Sequence, residues 1–140
     1  MVKEYNSFIK ELSAVYDNES MDTFVSLYYD GKDKKFIDRR ERICRSILHG
    51  KELQNFVKTM EKIHKFIESH TKKIAVFASY KNDFFKFLPL STDFSKDIKN
   101  ALVVDSSPYI RPLAEAIDEW IPFTLLLMNS NHAKIFSISY

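Results

Sequence analysis

The stretch Pro108-Tyr109-Ile110-Arg111-Pro112-Leu113, then Ala114–Trp120, Pro122-Phe123-Thr124-Leu125-Leu126-Leu127-Met128 and Asn129-Ser130-Asn131-His132-Ala133-Lys134-Ile135-Phe136-Ser137-Ile138, decides how the chain is read. Pro112 suits the first turn of a helix, where its missing N–H costs nothing. Leu113, Ala116, Ile117 and Trp120 then share one face, opposite Arg111, Glu115, Asp118 and Glu119. Phe123–Met128 is apolar apart from Thr124 and too short for a long helix, so it reads as a buried strand. Asn129-Ser130-Asn131 supplies a turn, and Ala133–Ile138 is strand-like again, which predicts a hairpin.

Upstream, Tyr5, Phe8, Ile9, Leu12, Val15 and Tyr16 recur at helical spacing and predict a helix over 3–16. Thr23–Tyr29, rich in β-branched and aromatic residues, reads as a strand. A helix over 35–48 follows, with Gly50 near its C-cap, then another over 51–69. Ile74–Ser79 and Phe84–Leu88 read as strands around a turn at Lys81-Asn82-Asp83, with Pro89 ending the second strand or placing it at an edge. Asp93–Lys99 is loop-like and Leu102–Val104 is a short strand. The predicted order is α-β-α-α-β-β-β-α-β-β. That is an α/β (α+β) fold with a mixed sheet of about five to six strands and helices packed on it.

Composition narrows the function. A chain of 140 residues with 45% hydrophobic content fits one ordered domain. Its net charge of +2 gives no general affinity for nucleic acid, so any basic patch must be local. One cysteine excludes an internal disulfide and a cysteine zinc site, which suits a reducing cytoplasm. No apolar run is long enough for a membrane span, and the N-terminus is too polar for a signal peptide. With only Gly31 and Gly50, phosphate-cradling glycine loops are absent.

Catalytic and metal constellations do not assemble. Cys44 lies on the apolar arc Phe36, Ile37, Ile43, Cys44, Ile47, Leu48, where a thiol behaves as a small hydrophobe. His64 shares the apolar face of Leu53, Phe56, Val57, Met60, Ile63 and Ile67, and reads as a hydrogen-bonded core residue. His70 falls on another side of that helix, so no metal site is expected. Asp105-Ser106-Ser107-Pro108 is turn chemistry. No cofactor is expected either. Arg40 falls near the middle of the apolar arc and is expected to be buried against a carboxylate. The one concentrated feature is cationic: Lys32, Lys34, Lys35, Arg39, Arg42 and Arg45 cluster on a turn and the helix after it, as a phosphate-contacting surface requires. Lys62, Lys65, Lys72 and Lys73 extend it if the two long helices lie side by side.

The Ser107-Pro108-Tyr109-x-x-Pro112-Leu113 segment, the acidic helix, the aliphatic strand and Ala133-Lys134-Ile135-Phe136 resemble the N-terminal region of archaeo-eukaryotic class-one peptide-chain release factors and release-factor-like proteins. Thr23–Tyr29 resembles that family's first strand and Lys73–Ser79 the strand after its long helices. The resemblance covers most of the chain. It implies an N-terminal domain over 1–121 and, in 122–140, a hairpin that begins a middle domain. It also implies an archaeal type of protein that binds ribosome or RNA in translation termination or ribosome rescue. The family reads stop codons with an Asn-Ile-Lys-Ser loop and a Tyr-x-Cys-x-x-x-Phe segment. Here His49-Gly50-Lys51-Glu52 stands between the helices, and Tyr109-Ile110-Arg111 lacks the cysteine. The Gly-Gly-Gln motif of peptidyl-tRNA hydrolysis does not occur, so no catalysis is expected of this chain. The alternative is a protein-interaction or homodimerisation module with no nucleic-acid role, paired through the hairpin.

Overall fold

A computed structural model describes residues 2–70, 72–90 and 98–117. Its elements are α1 (Val2–Ser13), β1 (Phe24–Tyr29), α2 (Lys34–Ile47), α3 (Gly50–Glu68), β2 (Ile74–Ser79), β3 (Phe84–Pro89), β4 (Ala101–Asp105) and α4 (111–117). This is the predicted order as far as α4. The hairpin 123–138 and the division at residue 122 lie outside the described residues.

The four strands form one sheet in the order β3-β2-β1-β4, and all three pairings are antiparallel. The expected mixed sheet is thus corrected for the described residues. Two helices separate β1 from β2, and as an antiparallel pair they return the chain to the end it left. Tyr29, the last residue of β1, therefore faces Ile74, the first of β2. The near-continuous apolar runs of β1 and β2 come from cover on both faces, which parallel sheets usually have but an antiparallel one can share.

On one face Val25, Leu27, Tyr29, Ile74 and Val76 meet Ile37 of α2 and Phe56, Met60, Ile63 and Ile67 of α3. On the other, Tyr28, Ala75 and Phe77 meet Leu12 of α1 and Leu113 of α4. The Pro108–Tyr109 segment is held against this second face by β1 itself. The Tyr109 N–H donates to Ser26 Oγ (2.8 Å), and the Tyr28 hydroxyl donates to the Tyr109 carbonyl (2.5 Å).

Helix boundaries follow local chemistry. The Asp33 side chain caps α2 by accepting from the Phe36 N–H (3.1 Å). Gly50 does not close α2 as expected; it opens α3 at φ +59°, in the left-handed region. α1 stops at Ser13 rather than 16, and Tyr16 is exposed. β3 is an edge strand ending on Pro89. Because Leu90 N–H donates to Lys73 O beyond the Ile74–Pro89 pair, Phe85, Phe87 and Pro89 turn their backbone polar groups away from β2. Pro89 therefore costs the ladder no donor.

Candidate nucleic-acid interface between the long helices

The cationic cluster is fully displayed. Lys32 lies in the turn before α2, and Lys34, Lys35, Arg39, Arg42 and Arg45 are exposed along the side of α2 turned from the sheet. Two are weakly engaged: Arg39 with Asp33 and Arg45 with Glu41, each at 4.0 Å. Exposed pairs of this kind contribute little and dissolve in salt. Among the described residues, Lys32, Lys34, Lys35 and Arg42 have no ion pair.

α2 and α3 lie side by side, joined by a hydrogen bond between His64 and Glu41 (Nε2 to Oε1, 2.6 Å). His64 is hydrogen-bonded as expected but half-buried rather than in the core, and it marks a junction of grooves. Arg42, Arg45, Asp38 and Glu41 line one of about 440 Å³ with it. Lys34, Ile37 and Glu68 border a smaller one of about 140 Å³. A third, of about 670 Å³, runs along α3 past Lys58, Lys62, Lys65 and Tyr80. Lys34, Arg42 and Arg45 thus join Lys62 and Lys65 around the helix seam, while Lys32, Lys35 and Arg39 stay on the outer side of α2 and line none of these grooves. Lys58 and Tyr80 were not singled out from sequence. The spacing of Lys58, Lys62 and Lys65 along α3 was the available signal; Tyr80 arrives from a distant turn and left none.

Arg40 corrects an expectation. It is exposed, and no carboxylate pairs with it among the described residues. The buried seam of α2 runs through Ile37, Cys44 and Leu48, not through the centre of the apolar arc, so Ile43 and Ile47 remain 47% and 66% exposed. Arg40 borders that open flank and incurs no burial cost. Burial pushes the Cys44 thiol up, which keeps it protonated.

A second polar centre lies around the turn that links β2 and β3. Asp17 is buried and accepts from Glu19 N–H, Ser20 N–H, Thr23 Oγ1, Lys81 Nζ and Asn82 Nδ2 at 2.8–3.2 Å. The Lys81 hydrogen bond holds its carboxyl well below the usual carboxylate range, against the opposing effect of burial. Beside it Asn55 of α3 donates to Thr23 O and accepts from Lys81 N–H, and Thr59 Oγ1 accepts from Tyr80 N–H. Glu52, in the first turn of α3, accepts from the Met21 and Asp22 N–H groups at 3.0 and 2.9 Å. Burial, then Glu52 and Asp105, pushes the Asp22 carboxyl up. The carboxylates of Asp17 and Glu52 are thus committed to partners within the fold.

Among the described residues no group of three or more His, Cys, Asp or Glu side chains is placed to hold a metal ion. No helix there is long and apolar enough to cross a membrane.

The fold has known counterparts. The crystal structure of an archaeal translation termination factor, aRF1, superposes with a TM-score of 0.63 at 14% identity, over 83% of this chain and 34% of that one. A second structure, described as an archaeal protein, gives a TM-score of 0.60 at 13% identity, over 84% of this chain and 36% of the other. The fold is release-factor-like. This chain spans about a third of the length of each of these proteins. No family model matches the sequence, and no curated protein matches it.

Proposed function

We propose that this chain is a non-catalytic, ribosome- or RNA-contacting domain that acts in translation termination or ribosome rescue in the cytoplasm. The observation that carries this reading is the row of solvent-facing cations on α2, continued by the lysines of α3 across the helix seam. The release-factor-like fold supports it, since one structure that shares this fold is an archaeal translation termination factor. Stop-codon reading is not part of the proposal. Glu52, which ends the segment standing in place of the family's stop-codon loop, is committed to the backbone of residues 21 and 22.

The test is reversal of Lys34, Lys35 and Arg42 to Glu. Ribosome co-sedimentation and RNA affinity should fall at least about tenfold at low salt, while the unfolding midpoint stays in place. The slope of log affinity against log salt should flatten by about two to three, roughly one for each phosphate no longer engaged. Unchanged binding would sink the assignment of the site. Ile43 and Ile47, exposed on α2, favour a second reading as a protein-interaction or homodimerisation module. Wild-type protein that binds neither ribosomes nor RNA at low salt, yet sediments as a dimer, would establish that reading instead.

A further inference from the structure

The groove along α3 contains one aromatic ring among its charges. Tyr80 is 45% exposed at the start of the β2–β3 turn, and its backbone N–H is fixed to Thr59 Oγ1 at 2.9 Å. The ammonium groups of Lys58 and Lys62, one helical turn apart, stand 4.8 and 5.3 Å from the ring centroid. Lys65 continues the line in the same groove, which then reaches His64 and the seam with α2. Glu61 and Glu68 also line it, so charge alone would make a poor anion trough. A solvent-facing ring set into a row of lysines is what an unpaired nucleotide recognises. Its base has a π-face to stack, and its flanking phosphates need cations at a few ångströms' reach. A duplex keeps its bases stacked and paired, away from the ring, and a polyglutamate chain offers carboxylates but no π-face.

We infer that this groove binds a single-stranded RNA segment, with Tyr80 stacking one base and Lys58, Lys62 and Lys65 carrying the adjacent phosphates. This rests on the RNA-contacting reading above and specifies which form of RNA the surface takes. On binding, the base replaces the ammonium groups over the ring, and the flexible lysine stems swing to the phosphates on either side. Specificity for base identity is not expected, because stacking is tolerant of sequence.

A fluorescein-labelled oligouridine and a duplex of equal length, titrated against the full chain, test this. Wild-type protein should bind the single strand more tightly. Tyr80→Leu should weaken that binding about tenfold without changing its salt slope, since the substitution removes no charge. Tyr80→Phe should bind as the wild type does. Lys58→Ala and Lys62→Ala should each flatten the slope by roughly one. The exposed ring should leave the unfolding midpoint of Tyr80→Leu in place. Oligouridine binding indifferent to Tyr80→Leu, with ribosome or duplex binding intact, would overturn the inference and leave the parent reading standing. A polyglutamate peptide that binds as tightly as oligouridine would overturn it in favour of an acidic protein partner. Wild-type protein that binds no RNA and no ribosomes would remove the parent reading and this inference together.

Discussion

The Asp17 centre and the α2–α3 groove are both built from charged residues, yet they treat charge in opposite ways. Around Asp17, one carboxylate receives five donors from two chain segments, the loop after it and the β2–β3 turn, and faces no bulk water. Along α2, cations stand in solvent with at most a loose partner. The first arrangement costs desolvation and confers rigidity, because a buried carboxylate is tolerated only when its hydrogen bonds are complete. The second costs only the screened repulsion of neighbouring cations in the free protein and leaves its interactions available to a ligand. Charge that is satisfied internally builds the fold; charge that is not is where binding is to be sought.

Three experiments would break or sharpen this contrast. The largest effect belongs to Asp17→Ala, which strands five donors and should lower stability by about 2–4 kcal/mol in denaturant titration. Ribosome association through the α2 cations should be unchanged in the folded fraction, and a loss of both would show that the Asp17 centre and α2 are not independent. The Tyr80 groove shares the turn that Asp17 holds and does not serve as this control. The second effect is a pH dependence. The folded-state pKa of Asp17 is depressed, so its contribution is fully present above the ordinary carboxylate value of about 4. It is lost as pH falls toward the folded value. The stability gap between wild type and Asp17→Asn should therefore narrow steadily below about pH 4, and a constant gap would remove Asp17 as its source. The smallest effect is at Arg40: Arg40→Ala and Arg45→Ala should each shift stability by no more than about 0.5 kcal/mol, as exposed substitutions do. A clearly larger loss for Arg40→Ala would mean that its side chain is buried after all.

Local patterns in the sequence carried much of this structure. β1, α2, α3, β2 and β3 fall within about a residue of their predicted bounds because periodicity and turn chemistry are local. The cations of α2 were legible for the same reason. Strand direction was not, since an apolar run records burial and says nothing of what covers it. Arg40 was misplaced because a helical wheel shows the width of an apolar arc but not which edge meets the sheet. The Asp17 centre was invisible: Lys81 and Asn82 lie 64 and 65 residues away, and no spacing rule joins them. Tyr80 reaches Lys58 and Lys62 by the same long-range route.

The grip of β1 on Tyr109 has a kinetic consequence. Ser26 and Tyr28 lie in a central strand, but their hydroxyl partners come 83 and 81 residues later. Closing a loop of that length is entropically slow, and contacts of this range dominate the folding time of a small domain. During synthesis, β1 and the α2–α3 pair emerge well before the segment that completes them. Until Tyr109 is free of the ribosome, two hydroxyls on β1 lack their native partners. Final locking of the second face therefore waits on nearly the last of the described residues, whereas the face packed on α2 and α3 needs only β4 from that late segment.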